Sequence, residues 1–499
     1  MGLFSRIGSL FKGPEEVDLT SGGIAKPLFF LSMPIVVTNL FQTAYNLADT
    51  FWLGQYSTDA LAAISFAFPM VFLLISLGMG ISVAGSVLVA QFTGADEERE
   101  AEYAASQTVT FAVIASVVLG GVGYFLVETF LDVMGASQDV LPLATSYMEV
   151  ISLGLLFMFG FFVFVALMRG YGDTITPMLV MFGSVVLNIV IDPFLIFGFD
   201  NNPLFTMLSL GRLESTLFAM TGYTGSGITG AALATVFSRG VALVAGLVIM
   251  FRGNRGVQIH LQDMVPDLSY LRRLIRIGLP ASIEGTGRAL SMNLLLVIVA
   301  LFPDTVVAAY GIGTRVFSVI FLPAIAVARG VETMTGQNMG ANKPDRAEQA
   351  AGLAAKVLFG VLTAAGVVVF FIAAPIADVF TTDPEVVDIA AQFLRYVALT
   401  FGFIGIMRAY TGSFRGAGKT LTAAAISVLI LGVVRFPIAW FASELLGETG
   451  VWLSFAVSNV AGAIIAYAWY RRGTWRKSDL TESKVDLNET SGEITAGDD

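Results

Sequence analysis

Long apolar segments alternate with short polar stretches along almost the whole chain. A helix that crosses a bilayer needs about 20 apolar residues, and twelve segments reach this length. They lie near residues 27–53, 60–92, 103–127, 139–168, 175–199, 226–252, 270–302, 305–339, 348–374, 385–413, 420–445 and 448–471. The pattern predicts an all-α integral membrane protein with twelve transmembrane helices.

The second half of the chain repeats the first. Pro34 matches Pro280 and Gln91 matches Gln337, in each case 246 positions later, and the same offset relates RGYGDTIT at 169–176 to RGAGKTLT at 415–422. After the fifth segment the offset falls to 220, because the first half carries 26 extra residues in the loop around 200–223. Each copy has six spans, so both copies cross the membrane in the same direction, as in the parallel repeats of many transporters.

The repeat divides the chain into two predicted six-helix bundles, which we call the first half and the second half. The predicted segments are a cytoplasmic N-terminal segment at 1–25, the first half at 26–252, a cytoplasmic linker at 253–268, the second half at 269–475 and an acidic, disordered tail at 476–499. Lysines and arginines gather in the loops on one side of the spans. The positive-inside rule therefore predicts a plasma-membrane protein with both termini in the cytoplasm.

The first span carries a polar stripe that an ordinary membrane anchor does not need. Thr38, Gln42, Tyr45 and Asp49 follow one another in steps of four, three and four residues, which places them on one face of a helix. An ionisable residue at membrane depth is costly unless it faces a bundle interior or a water-filled cavity. Asp49 is therefore a candidate for an ion or substrate site, the alternative being a helix-end acid at the outer headgroups.

A second buried acid is predicted in span five, and the internal repeat singles out both. Asp49 corresponds to Leu295 in the second half, while Asn188 and Asp192 correspond to Val434 and Ile438. Both acids lie in the outer half of the first bundle, so we predict that they meet.

Thr235 enters span six at a similar depth, and together with Tyr45 and Asn188 it would complete a cage of oxygen ligands around the two acids. Two carboxylates close together in a low dielectric favour a bound proton or a small hard cation. We predict a coupling-ion site there, with Asp49, Asp192 and Asn188 as ligands if the ion is Na⁺. For Asp192 the alternative is a structural carboxylate before Pro193.

The second half has its own charges. Glu284 and Arg288 are four residues apart in span seven, and we predict a structural ion pair, with a second cation site as the alternative. Glu284, Gln42 and Thr38 are also candidates for lining a substrate cavity. No acid in span ten is placed to join Glu284.

Composition excludes several classes of protein. Of the 499 residues 56% are hydrophobic and 13% are charged, which does not suit a water-soluble domain. With no cysteine and a single histidine, neither a thiolate metal site nor an enzymatic nucleophile is predicted. The chain lacks an ATP-binding signature, so we predict a secondary transporter without cofactors that uses H⁺ or Na⁺ as coupling ion.

The pattern resembles the multidrug and toxic compound extrusion (MATE) family, in its archaeal and DinF-like type. The resemblance rests on PIVVTNLFQTAYNLADTFWLG in span one, GQNMGA with its echo AQFTGA, the paired RGxG(D/K)TxT turns and NIVIDP in span five. It implies a V-shaped pair of six-helix bundles that exports amphipathic or cationic organic compounds by alternating access. It also implies a cation site at Tyr45, Asp49, Asn188, Asp192 and Thr235.

The resemblance leaves some expectations open. Relatives of the NorM type use acids in spans seven and ten, and Glu284 matches only the former. A lipid-linked saccharide or lipid flippase of the same superfamily is the alternative function, and it would have a cavity dominated by basic residues. The expected partners are small organic substrates and membrane lipid, without nucleic acid, and the expected state is a monomer.

Overall fold

The computed structural model describes residues 18–477 and residue 480, and this part of the chain is built from α-helices. Most of the predicted N-terminal segment, residues 1–17, lies outside the described residues. The same is true of 478, 479 and 481–499 in the predicted tail.

The helices of the first half match its six predicted spans and the inserted loop. They are α1 (Ala25–Tyr56), α2 (Thr58–Gly94), α3 (Glu98–Val133), α4 (Leu141–Leu153), α5 (Leu155–Tyr171), α6 (Ile175–Phe197), α7 (Pro203–Met207), α8 (Gly211–Thr221) and α9 (Gly227–Arg252). The short helices α7 and α8 lie within the insertion of 26 residues that the second half lacks.

The second half repeats this order without the two short inserted helices, but its counterparts of α3 and α6 are each divided in two. Its helices are α10 (Leu268–Val299), α11 (Asp304–Gly340), α12 (Pro344–Phe371), α13 (Ala373–Asp378), α14 (Pro384–Ala398), α15 (Phe401–Gly416), α16 (Thr420–Val428), α17 (Phe436–Leu446) and α18 (Glu448–Arg471). Residues Leu429–Arg435, between α16 and α17, form a π-helical turn.

Two of the twelve spans are broken, at equivalent places in the two halves. The axes of α4 and α5 differ by 54° and those of α14 and α15 by 51°. Ten other spans are long and apolar enough to cross a membrane, and counting each bent pair as one span gives twelve. The prediction of an all-α protein with twelve spans is thus confirmed, whereas the sequence pattern did not predict the two bends.

The inserted loop is hydrogen-bonded to the end of α6. The side chain of Asn202 is fully buried and donates hydrogen bonds to the carbonyl oxygens of Pro193 and Gly198, at 2.8 and 2.7 Å. These bonds satisfy backbone acceptors at the end of a helix that would otherwise lack partners. The insertion therefore covers the end of α6 that follows Asp192.

The two halves are sealed together at one end of the bundle, where α2 and α11 finish. Gly94 packs against the backbone of Gln337, and Gly340 packs against the backbone of Gln91, so closely that neither glycine has room for a side chain. Gln91 donates to the carbonyl oxygen of Gly416 at 3.0 Å, and Gln337 donates to that of Gly170 at 3.2 Å. Each glutamine therefore binds the RGxG turn of the opposite half.

Candidate functional site

Three helices of the first half bring the five predicted cation-site residues together. Tyr45 and Asp49 are one turn apart on α1, Asn188 and Asp192 are one turn apart on α6, and Thr235 lies on α9. All five side chains are buried, and those of Asn188 and Asp192 are completely so. Asp49 interacts directly with Asp192 and Asn188, so the two carboxylates meet as the repeat comparison predicts.

Each of these five side chains keeps one oxygen atom without a hydrogen-bond partner. Within the described chain, buried and unpaired oxygens are the Tyr45 hydroxyl, Asp49 Oδ1, Asn188 Oδ1, Asp192 Oδ2 and the Thr235 hydroxyl. Asn188 Nδ2 donates a hydrogen bond to the other oxygen of the second acid, Asp192 Oδ1, at 3.0 Å. Buried polar atoms normally have partners, so five unsatisfied oxygens at one place require an explanation.

The donor set fits a small hard cation or a proton. Na⁺, like other hard cations, is bound by carboxylate, amide carbonyl and hydroxyl oxygens, and all three kinds are present. A transition metal is not indicated, because residues 18–477 contain no group of three or more histidine, cysteine, aspartate or glutamate side chains that could hold one.

A cavity of about 440 Å³ opens in front of the site, and we call it the first-half cavity. Tyr45, Asp49 and Thr235 line it, whereas Asn188 and Asp192 lie behind them. The rest of its wall is largely apolar, with Phe68, Phe72, Ile75, Met158 and Phe162 among its members. An ion can therefore reach Asp49 from the cavity, and an apolar compound can occupy the same space.

Arg239 is a member of this site that the sequence analysis missed. It lies on α9 one turn after Thr235, is 2% exposed and donates to Gln42 Oε1 at 2.7 Å. Its guanidinium also stands over the ring of Tyr45, 4.8 Å from the ring centre. The four-residue spacing from Thr235 was the signal that could have revealed it.

The two polar residues proposed beside the acids have different surroundings. Gln42 lines the first-half cavity and is held by Arg239. Thr38 does not line that cavity, and its hydroxyl instead donates to the carbonyl oxygen of Pro34 at 2.8 Å. A threonine bonded to its own helix in this way tends to bend the helix, which places a bend-prone turn next to Pro34.

Glu284 lies in a different place, between the two halves. Its carboxylate accepts hydrogen bonds from Arg415, Arg288 and Ser427, at distances of 3.0 to 3.2 Å. The pair with Arg288 is thus present, but Arg415 makes the stronger contact by binding both carboxylate oxygens. A carboxylate saturated by cationic donors has no free oxygen for an added ion, so the geometry does not support a second cation site.

A second, smaller cavity of about 210 Å³ adjoins Glu284, and we call it the central cavity. Its wall combines α2 of the first half with α10, α11 and α15 of the second, and four arginines face it. These are Arg288, Arg329, Arg408 and Arg415. Basic side chains at this position were not predicted as a site.

The family model described as MatE matches the chain twice, at residues 34–194 and 280–441. The two matches begin 246 residues apart, at the positions of Pro34 and Pro280, which is the offset of the internal repeat. Together they cover more than half of the chain.

Curated relatives match the chain over nearly its full length. The probable multidrug resistance protein YpnP of Bacillus subtilis is 27% identical over 471 residues, covering 94% of this chain and all of that protein. An FAD transporter of Shewanella oneidensis is 28% identical over 91% of this chain and 96% of its own length. The probable multidrug resistance protein NorM of Thermotoga maritima is 26% identical, with coverages of 96% and 98%.

Solved structures of transporters have the same fold. A MOP superfamily transporter from Pyrococcus furiosus superposes with a TM-score of 0.82 at 24% identity, covering 93% of this chain and all of that chain. A mutant of the Vibrio cholerae MATE transporter VcmN gives a TM-score of 0.81 at 23% identity, covering 91% and 98%.

Proposed function

Because the chain belongs to the MatE family, whose members are transporters rather than enzymes, we propose that it exports organic compounds in exchange for H⁺ or Na⁺. The family and the relatives show a multi-span transporter of small molecules with a role in multidrug efflux. The ion coupling, and the ion site between Asp49 and Asp192, are the proposal. The names of the relatives cover both drugs and FAD, so they leave the substrate class open.

One observation supports the proposal of ion coupling. Five unpaired oxygens converge at Asp49 and Asp192 beside a cavity. A cation or a proton would satisfy them and would remove the repulsion between two buried carboxylates. Without an ion, that repulsion favours a conformation in which α1 and α6 separate. Ion occupancy therefore has a different free energy in the two conformations, which is what coupling requires.

Because the bundle is closed at one end, ion binding can change the conformation at the other end. With α2 and α11 closed at Gly94 and Gly340, we take the first-half cavity as open toward the opposite, outer side. Binding of the ion draws α1 toward α6, and α1 bends near Pro34, where Thr38 bonds to the helix backbone. The cavity narrows, the exported compound leaves, and the ion-loaded protein opens at the other end and releases the ion.

The test is transport by the purified chain in proteoliposomes, with the pH gradient and the Na⁺ gradient imposed separately. Export of a fluorescent organic compound is expected under at least one gradient. The variants Asp49→Asn and Asp192→Asn are each expected to reduce it to the level without a gradient. Asp132→Asn, at an exposed acid near the end of α3, is the matched control and should keep full activity.

Export driven by neither gradient would refute the antiporter, and undiminished gradient-driven export in both aspartate variants would refute the site. A shift in the ion concentration for half-maximal rate in Asn188→Ala and Thr235→Val would support the wider set of ligands.

A further inference from the structure

We propose that the central cavity binds the anionic group, a phosphate or a carboxylate, of the compound that the protein exports. The proposal rests on the proposed function as an exporter, and it replaces cationic substrates with anionic amphiphiles as the preferred class. It concerns the arginines between the two halves and not the ion site at Asp49.

The charge around the central cavity is strongly unbalanced. Arg415 contacts both Glu284 and Glu332, at 3.1 Å each, while Arg288 pairs with Glu284 and Arg329 with Glu332. Two further arginines, Arg169 and Arg408, interact with the same two glutamates. Five arginines against two glutamates leave three positive charges within the described part of the chain. Such an excess at membrane depth is costly unless an anion enters.

Among the four arginines that line the central cavity, Arg408 is the one whose guanidinium donates no hydrogen bond within the described part of the chain. Its side chain is nevertheless only 9% exposed. The nearest carboxylate oxygen, on Glu284, is 4.0 Å away, which is beyond hydrogen-bonding distance. The guanidinium stands 4.7 Å from the ring centre of Phe321 and lines the cavity. A planar group with five free N–H donors is suited to bidentate binding of a phosphate or carboxylate.

The other donors around the cavity are held in place by the two glutamates. The carboxylate of Glu284 accepts from Arg415, Arg288 and Ser427, so it cannot also satisfy Arg408. Arg288 still has a buried Nε without a partner. The glutamates therefore fix three guanidinium groups, those of Arg288, Arg329 and Arg415, around an open volume, which is an arrangement that pre-organises an anion site.

The fold itself does not require this cluster. Its charged members in the second half have uncharged counterparts at the equivalent positions of the first half. Glu284, Arg288, Arg329, Glu332 and Arg408 correspond to Thr38, Gln42, Val83, Ser86 and Phe162, and only Arg415 matches another arginine, Arg169. A role in holding six helices together would apply to both halves, so the cluster needs a reason specific to this cavity.

The central cavity and the first-half cavity are neighbours, because Phe72 lines both. A compound with an anionic end among the arginines can therefore lay its apolar part beside Phe68, Phe72 and Phe162. The combined site selects an amphiphile with a negative end and an aromatic or aliphatic body.

Equilibrium binding to the purified full-length chain in detergent tests the proposal without depending on transport. The probes are FAD, as a free organic phosphate; phosphatidic acid in mixed micelles, as a lipid phosphate; and tetraphenylphosphonium, as an organic cation. FAD or phosphatidic acid should bind, with an affinity that falls as salt rises. Arg408→Gln should weaken that binding about tenfold or more, as expected for loss of hydrogen bonds between charged groups, whereas Arg408→Lys should lose less.

The matched control is Arg212→Gln, at an exposed arginine in α8, which should bind like the original protein. Binding of FAD alone would support a soluble anion as the source of the group, and binding of phosphatidic acid alone would support a lipid. The proposal is overturned if neither anion binds, or if Arg408→Gln and Arg212→Gln bind the anions equally well. It is also overturned if Arg408→Gln weakens tetraphenylphosphonium binding as much as anion binding.

The same samples separate this proposal from the function on which it rests. Asp192→Asn, at an acid that lines neither cavity, should bind the anion normally while losing gradient-driven export. Anion binding that depends on Arg408 in a protein without ion-driven export would contradict the antiporter and leave the anion site standing.

Discussion

Around the positions of the two buried acids, the two halves differ in charge. In the first half, Asp49 and Asp192 stand beside Thr235 with unpaired oxygens. The second half has Leu295, Ile438 and Phe455 at those positions. Close by, the guanidinium of Arg435 lies 4.4 Å from the ring centre of Phe455 and donates to Ser458 and Asn459, at 2.8 and 3.0 Å. The first half thus combines two acids with a buried arginine, Arg239, whereas the second half has a buried arginine and neither of these acids.

The π-helical turn is part of this difference. Arg435 ends the turn Leu429–Arg435, whereas the equivalent stretch of the first half belongs to the regular helix α6. A π turn inserts an extra residue and redirects the side chains around it, and such turns often mark functional places. In the first half the buried arginine, Arg239, lies on α9 instead, and α6 carries Asp192. We expect only the half with the two acids to respond to an ion gradient.

The largest expected effect comes from copying the acid of the first half into the second, as Leu295→Asp. Leu295 is 1% exposed in an apolar cluster with Ile298 and Val299, so the new carboxylate would be buried without a ligand cage. We expect a loss of about 3 kcal/mol or more in stability, seen as a lower Tm in detergent. Leu301→Asp, the same substitution at an exposed position in the turn after α10, is the control, and an equal Tm for both variants would contradict the comparison.

The next effect concerns the arginine of the first half. A unit charge about 10 Å away in a medium of effective dielectric about 20 contributes about 1.7 kcal/mol. Arg239→Met removes such a charge from beside the ion site, so the coupling ion should bind about tenfold more tightly, measured as the ion concentration for half-maximal transport. Arg435→Met should leave that concentration unchanged. Weaker ion binding in Arg239→Met would instead mean that Arg239 serves chiefly to position Tyr45 and Gln42.

The sealed end should respond symmetrically to change. Gln91→Leu and Gln337→Leu each remove the hydrogen bonds that bind the RGxG turn of the opposite half. Each is expected to cost about 1 to 2 kcal/mol, with lower Tm values that agree closely with one another. Gln138→Leu, at an exposed loop position, should change Tm little. A loss confined to one of the two glutamine variants would show that the halves do not share the seal equally.

The smallest effect comes from the helix starts. Asp267 caps α10 by accepting from the backbone of Ser269 at 2.8 Å, whereas Ile24, the N-cap residue of α1, provides no side-chain cap. Asp267→Ala should cost about 1 kcal/mol.

This last effect depends on pH. The hydroxyl and backbone N–H of Ser269 hold the pKa of Asp267 below its usual range. The cap therefore contributes fully above the ordinary carboxyl pKa of about 4 and loses its contribution as the pH falls through the lowered value. The difference in Tm between Asp267→Ala and the original protein should accordingly shrink in acid, and a difference that persists there would rule out the ionised cap as its cause.

Hydrophobic periodicity and the repeat were enough to predict the spans and the convergence of five polar side chains, whose role as an ion site stays a prediction. The length of an apolar segment identifies a transmembrane helix. Comparison of the two copies separates the residues that the fold requires from those that it tolerates. This is how Leu295 and Val434 identified Asp49 and Asn188. The bends at Gly154 and near Leu399 left no signal of this kind, because neither position carries a proline and hydropathy does not register a change of helix direction.

The central cavity was missed for a different reason. Its arginines come from α10, α11 and α15, and only the packing of the two halves brings them together. From the sequence, the four-residue spacing of Glu284 and Arg288 indicated a local pair, and Arg415 was read as part of a cytoplasmic turn. Long-range contacts of this kind are set by tertiary structure, so a periodic pattern within one helix cannot reveal them.

The exchange of glutamines at the sealed end has an evolutionary consequence. Gln91 binds the turn of the second half, and Gln337 binds the turn of the first. Two separate, identical six-helix chains related by a two-fold axis would make both contacts at once. The interface thus has the form of a homodimer, and gene fusion would have preserved it while the opposite ends of the two copies diverged, one toward acids and the other toward an arginine.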